Sequence, residues 1–161
     1  TLSPSSAASD VYKRQLQISV IDDAGTVLFD SLVRPYFHTE WPEAQKVNGI
    51  TPEMVAGAPY PHELLPQLVE IFSEMSVCIG YNTSFDLGFL DRIGIPTEHL
   101  TVIDVMQMFV DYLNANGGTR RRASLSTCTK HFDYQWEGAA HNSLADAKAT
   151  LYCYNMMKII K

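Results

Sequence analysis

The sequence predicts an α/β fold in which helices cover a sheet, with an α+β fold as the alternative. Two observations carry this prediction. A pair of apolar, β-branched segments separated by a turn comes first, and short apolar strands then alternate with segments of helical periodicity. The chain of 161 residues has the length of one domain, and its 46% hydrophobic and 19% charged residues are a globular composition.

The N-terminal segment does not share this pattern. Residues 1–15 are polar, small and aperiodic, and they lack the apolar segment of a signal peptide. Ser5–Gln15 (SSAASDVYKRQ) resembles a translated sequencing adapter. We therefore expect a non-native tail over residues 1–15 and a native domain over residues 16–161, with a genuine disordered tail as the alternative.

Apolar periodicity and turn residues define the elements in order. The predicted strands are Leu16–Ile21, Thr26–Arg34, Val77–Tyr81 and Leu100–Ile103. The predicted helices are Glu43–Asn48, Pro52–Val55, His62–Met75, Phe85–Ile93, Val105–Leu113, Ser124–Phe132 and Ala139–Ile160. Gly25 is expected to supply the positive φ of the hairpin turn, and Thr51 is expected to cap the helix that starts at Pro52.

Charge, cysteine content and hydropathy exclude several classes of protein. The net charge of −6 argues against binding of nucleic acid through bulk positive charge, so a nucleic-acid role needs a local site. Cys78, Cys128 and Cys153 are far apart and lack metal-ligand spacing, which argues against a zinc knuckle or a disulfide framework and suits the reducing cytoplasm. No apolar run reaches the ~20 residues that a membrane span needs.

Three acidic positions lie where functional groups are often found. Asp86 lies where the chain leaves the predicted strand Val77–Tyr81, and position alone favours an acid that interacts with the dipole of the next helix, with a functional group as the alternative. Asp104 directly follows a strand and is interpreted as a helix N-cap. Asp146 follows His141 among small apolar residues, where a carboxylate is costly to bury unless it is paired or binds a metal.

Together these residues fit one chemistry. Carboxylates from separate elements can hold Mg²⁺ or Mn²⁺, and two such ions activate water for phosphodiester hydrolysis. A nearby histidine is suited to accept the proton of that water. Further carboxylates on a neighbouring strand would be needed, and none is found in a suitable place after Gln15.

Three segments carry a resemblance to a known family. They are VNGITPEMVAGAP (Val47–Pro59), GYNTSFDLGFL (Gly80–Leu90) and HNSLADA (His141–Ala147). From Leu16 onward, their order and spacing resemble a DEDDh exonuclease of the DnaQ-like family, which has a ribonuclease H-like fold with a mixed sheet flanked by helices. The second segment is similar to the family motif Asn-x-x-Phe-Asp-x-x-Phe-Leu, and the third is similar to His-x-x-x-x-Asp-Ala.

The resemblance implies a role for each matching residue. Asp86 and Asp146 would be ligands of two Mg²⁺ or Mn²⁺ ions, with Asp146 binding directly and Asp86 through water. His141 would be the general base. Asn82 and Phe85 would shape and support the substrate site.

One part of the family pattern is missing. The family's first motif, Asp-x-Glu, lies on a strand that precedes the segment similar to Leu16–Ile21, and this sequence contains no such pair. The resemblance therefore implies a sheet without its first, central strand. It also implies that the parent protein is a 3′-to-5′ exonuclease, whereas this chain is inactive.

The resemblance also implies a substrate and a partner. The substrate would be single-stranded DNA or a frayed 3′ end, and the partner would be a DNA polymerase subunit. An exoribonuclease of the same family, and a non-catalytic module that binds nucleic acid or a polymerase, are the alternatives. Arg120–Arg122 is interpreted as a solvated loop, with contact to a substrate phosphate as the alternative.

Overall fold

The computed structural model describes residues 2–4, 16–37, 39–138 and 142–159. Its strands are β1 (Leu2–Pro4), β2 (Gln17–Ile21), β3 (Val27–Leu32), β4 (Val77–Gly80) and β5 (Thr101–Asp104). Its helices are α1 (Pro42–Asn48), α2 (Pro52–Val55), α3 (Pro61–Glu74), α4 (Thr83–Arg92), α5 (Val105–Ala115), α6 (Leu125–His131) and α7 (Ser143–Ile159). Across these ranges, the structure contains no helix with the length and apolar character needed to cross a membrane.

The strands form one mixed sheet in the order β3-β2-β1-β4-β5. β2 is antiparallel to both β3 and β1, whereas β4 is parallel to both β1 and β5. With this topology, β4 and β5 end at the same edge of the sheet at which β2 begins. We call this the site edge, because α4, α5 and α7 all begin there.

The middle of the sheet holds a strand that the sequence analysis did not expect. β1 pairs with Ile18–Val20 of β2 and, through Leu2, with Gly80 of β4. This corrects the expectation of an empty central position, because three residues of the segment set apart as a tail occupy it. The physical reason is that the flanking strands present backbone N–H and C=O groups, which any extended segment can satisfy whatever its side chains.

Helices cover both faces of the sheet. Alternate residues of β2 point to opposite faces, so each set of side chains packs against a different helical layer. Ile18 and Val20 lie in the core beneath α3 and α4. Gln17 and Ile21 face α7 on the other side. Every residue of β2 is therefore buried.

Each helical layer has its own apolar core. The core under α3 and α4 contains, besides β2 residues, Phe29, Val33, Leu64, Leu68, Phe72, Cys78, Leu90, Ile95 and Leu100. The core among α5, α6 and α7 contains Val105, Phe109, Val110, Ala123, Cys128, Phe132, Cys153 and Met157. All three cysteines are buried and none forms a disulfide.

Most of the predicted elements and turn residues are confirmed. Gly25 adopts φ 85° in the β2–β3 turn. Thr51 caps α2 by accepting a hydrogen bond from the Met54 N–H. The last helix was expected to start at Ala139, which lies outside the described residues. In the described part of the chain α7 begins at Ser143, and the side-chain oxygen of Asn142 accepts hydrogen bonds from backbone N–H groups of its first turn.

The core under α3 gives a direct test of the fold. Leu68 is fully buried there, so Leu68→Ala removes methyl groups and leaves a cavity. We expect the free energy of unfolding, measured by urea denaturation, to fall by about 2–5 kcal/mol. Leu65→Ala, which changes a half-buried leucine of the same helix, is the matched control and should cost clearly less. Equal costs for both variants would contradict the described packing.

Candidate functional site

The central residue of the site edge is Asp86, in the first turn of α4. The chain leaves β4 and turns sharply at Asn82, which adopts a left-handed conformation (φ 61°) immediately before α4. Asp86 is only 1% exposed. Neither of its carboxylate oxygens has a hydrogen-bond partner within the described part of the chain.

This environment changes the acidity of Asp86. Burial is the main cause that raises the pKa of Asp86 well above its ordinary value of 3.8, and the nearby carboxylate of Asp104 raises it further. A buried carboxylate without partners is costly in the ionised form. A cation at this position would remove that cost, so the environment of Asp86 is suited to a positive ion.

Asp104, the last residue of β5, connects the two strand–helix junctions of the site edge. Its Oδ1 accepts hydrogen bonds from the backbone N–H groups of Met106 (2.9 Å) and Gln107 (3.4 Å), which caps α5. The same carboxylate accepts hydrogen bonds from the backbone N–H groups of Asn82 and Thr83, both at 3.0 Å. The predicted N-cap role of Asp104 is therefore confirmed. Its second role, which is to hold the turn before Asp86, was not predicted.

Asp146 reaches the site edge from the opposite face of the sheet. It lies in the first turn of α7, is 4% exposed, and belongs to a helix that packs against β1 and β2. Asp86 belongs to the other helical layer, through α4. The structure therefore places the first turns of α4 and α7, which carry the two candidate metal ligands, at the site edge on opposite faces of the sheet.

A buried glutamine fixes the start of α7. The Gln17 side-chain oxygen accepts a hydrogen bond from the Ser143 N–H at 3.1 Å, and the Gln17 amide donates to Asp30 Oδ1 on β3, also at 3.1 Å. The Ser19 hydroxyl donates to the same Asp30 oxygen at 2.7 Å. This network connects the edge strand β3 to the first turn of α7, which carries Asp146.

Of the remaining predicted site residues, the structure describes two, Asn82 and Phe85, but not His141. His141, the predicted general base, lies outside the described residues. Asn82 and Phe85 are half-buried at the start of α4, close in sequence to Asp86. Gln17 was not predicted as a site residue, although a polar residue inside the apolar run LQISVI indicates a side chain that needs a partner.

The atoms that the described residues offer at this site are of the kind that binds a divalent cation. Buried carboxylate oxygens such as those of Asp86 are the hard ligands that Mg²⁺ and Mn²⁺ prefer. Within residues 2–4, 16–37, 39–138 and 142–159, no three His, Cys, Asp or Glu side chains come together as a metal site. The ligands described are therefore too few for a complete two-ion centre.

Comparison with known proteins decides the family. The family model for exonucleases (RNase_T) matches residues 17–154. The chain belongs to the DnaQ-like exonuclease family. This confirms the resemblance, together with the ribonuclease H-like fold that it implied.

Relatives of this exonuclease domain come from bacteria and phage. An uncharacterised exonuclease of Escherichia phage 186 is 27% identical over 148 residues, which are 84% of this chain and 75% of that protein. The epsilon subunit of DNA polymerase III from Pasteurella multocida is 34% identical over 74 residues, or 42% of this chain and 29% of the subunit. The matched segment thus covers less than a third of that subunit's length.

A solved structure shows the same fold. The nuclease domain of 3′hExo, a DEDDh family member bound to rAMP, has a TM-score of 0.68 over 89% of this chain and 79% of the other. The sequence identity between them is 17%, so the likeness concerns the fold.

Replacement of the buried acid tests its environment. Because the folded state holds the Asp86 proton more tightly than the unfolded state, the free energy of unfolding should fall as pH rises above about 4. Asp86→Asn removes the charge, so we expect it to raise the free energy of unfolding near neutral pH by about 1–3 kcal/mol in metal-free buffer. The measurement is urea denaturation between pH 4 and pH 8.

Asp91→Asn, an exposed carboxylate on the same helix, is the matched control for Asp86→Asn. It should change the free energy of unfolding by no more than about 0.5 kcal/mol. If Asp86→Asn destabilised the protein at neutral pH, the described environment of Asp86 would be wrong.

The two roles of Asp104 can be separated by two substitutions. Asp104→Ala loses the cap of α5, worth about 0.5–2 kcal/mol, together with the bonds to Asn82 and Thr83. Asp104→Asn keeps an oxygen for the cap but not both acceptor oxygens, so its free energy of unfolding should lie between those of the alanine variant and the original. Urea denaturation gives this order, and an alanine variant as stable as the original would contradict it.

Proposed function

We propose that this domain is the catalytic part of a 3′-to-5′ exonuclease that hydrolyses terminal phosphodiesters of DNA and releases nucleoside 5′-monophosphates. The observation that carries the proposal is Asp86: a buried carboxylate with no described hydrogen-bond partner, at the Asp position of the family's second motif. A purely structural acid would have partners for its oxygens.

Each site residue has a distinct part in the proposal. Asp86 and Asp146 hold the divalent ions at the site edge. Such ions, when bound, supply Lewis-acid activation of water and stabilise the leaving oxygen. His141 accepts the proton of the attacking water. Asn82 and Phe85 shape the space beside Asp86 in which the terminal nucleotide lies.

DNA is the proposed substrate, with RNA as the alternative. The similarity to a DNA polymerase III epsilon subunit supports DNA and an association with a polymerase. The fold shared with 3′hExo, which is bound to rAMP, supports the alternative. The backbone of a single strand or a frayed 3′ end would be recognised largely without regard to sequence.

A non-catalytic nucleic-acid-binding module, with or without a polymerase as partner, is the second candidate. The observation in its favour is that the sequence contains no Asp-x-Glu pair, so a two-ion site lacks ligands. We therefore propose that the present chain is inactive. We also propose that residues 1–15 are foreign to a domain spanning residues 16–161, which functions in the cytoplasm.

The deciding experiment compares this chain with one in which a strand bearing Asp-x-Glu replaces residues 1–15. Both proteins are incubated with Mg²⁺ and 5′-labelled single-stranded DNA or RNA, and the products are resolved on a gel. We expect progressive shortening from the 3′ end, on DNA, for the extended protein alone.

Substitutions in the extended protein test the assigned roles. His141→Ala should lower the rate by about 10²- to 10⁴-fold while metal binding is retained. Asp146→Asn should lower metal affinity and rate together. If the present chain degraded DNA with Mg²⁺, the proposed inactivity would be refuted, and an inactive extended protein would favour the binding module.

A further inference from the structure

Three consecutive arginines lie exposed on the loop between α5 and α6. Arg120, Arg121 and Arg122 are half of the six arginines in a chain whose net charge is −6. Ion pairs elsewhere join Lys46 to Glu43 and Lys148 to Glu137. No carboxylate in the described part of the chain forms an ion pair with any of the three arginines.

The backbone of this loop is held in place without use of the guanidinium groups. The Asn114 side chain both donates to the Arg120 carbonyl oxygen and accepts from the Arg120 N–H, each at 2.8 Å. The Gly118 N–H donates to the Leu113 carbonyl oxygen, and a Cβ at Gly118 would lie 2.8 Å from that oxygen. The loop is therefore preformed, while the three charged side chains remain available for an external partner.

The loop reaches the site edge through a tyrosine. Tyr81 directly follows β4, five positions before Asp86, and its hydroxyl donates to the Ala123 carbonyl oxygen at 3.0 Å. Ala123 is adjacent to Arg122 in the chain. The end of the arginine segment is thus fixed beside the strand end that leads to Asp86.

We propose that Arg120, Arg121 and Arg122 bind phosphate groups of the nucleic-acid strand whose 3′ end lies at Asp86; this inference rests on the proposed function. Guanidinium groups form bidentate hydrogen bonds with phosphate, and fixed backbone reduces the entropy lost on binding. An acidic protein must overcome its own repulsion of a polyanion. A local group of three positive charges, on a loop joined to the end of β4 through Tyr81, provides that attraction.

The test is the salt dependence of binding to a 5′-fluorescein-labelled twelve-nucleotide oligo(dT), measured by fluorescence anisotropy between 25 and 200 mM NaCl with Ca²⁺ present. Each phosphate contact on a single strand contributes about 0.7 to the slope of log K against log salt. The triple variant Arg120→Gln, Arg121→Gln, Arg122→Gln should therefore reduce the magnitude of the slope by about 2.

Two matched variants separate local contacts from total charge. The first control removes an equal number of positive charges from helix surfaces through Lys46→Gln, Lys130→Gln and Lys158→Gln together. This control should keep the original slope. Replacement of all three arginines by lysine should keep most of the slope, because the charge is retained. All variants are checked for an unchanged circular dichroism spectrum.

The possible results distinguish this inference from the proposed function. If the chain binds the oligonucleotide but the arginine variant keeps the original slope, the arginine contacts are refuted while the nuclease proposal stands. If the lysine control lowers the magnitude of the slope equally, the salt dependence comes from the total charge of the protein, and the arginine contacts are refuted. If the original chain binds no oligonucleotide at low salt, the arginine contacts are refuted, whereas the proposed function is decided separately by the activity of the extended protein.

Discussion

The hydrogen bonds accepted by the Asp104 carboxylate are the interaction on which the rest of the site depends. One side chain caps α5 and also holds the backbone of Asn82 and Thr83, so the ends of β4 and β5 cannot move independently. The position of Asp86 follows from this, since α4 begins at Thr83. After burial, the same negative charge is the second cause that raises the pKa of Asp86, which couples the geometry of the site to its electrostatics.

The site also shows how function and stability conflict in this fold. A fully apolar residue at Asp86 would suit the buried interior better than a carboxylate without described partners. The cost is localised: Asp104 has hydrogen-bond donors around it, and Gln17 satisfies its polar groups through Ser143 and Asp30. The fold thus concentrates its unfavourable burial at Asp86, the group proposed to bind an ion, and the neighbouring polar groups hold the backbone around it in place.

Local features of the site could be read from the sequence, whereas contacts between distant segments could not. Motif spacing singled out Asp86 and Asp146, and the position after a strand identified Asp104 as a cap. Gln17 was missed because its partner Ser143 is 126 positions away, and nothing in a local pattern reveals such a pair. β1 was missed for a different reason: backbone pairing over three residues requires no recognisable side-chain pattern.

The position of β1 has a consequence for the order in which the molecule assembles. Among the strands that the structure describes, β1 alone joins the hairpin β2–β3 to the parallel pair β4–β5. The pairing of Leu2 with Gly80 closes a loop of nearly eighty residues, which costs conformational entropy. Only a few hydrogen bonds of the short strand offset this cost. From this topology we expect β1 to pair after the hairpin and the parallel pair have formed. The two pairs are not independent of each other, since Ile18 and Phe29 share one apolar core with Cys78 of β4.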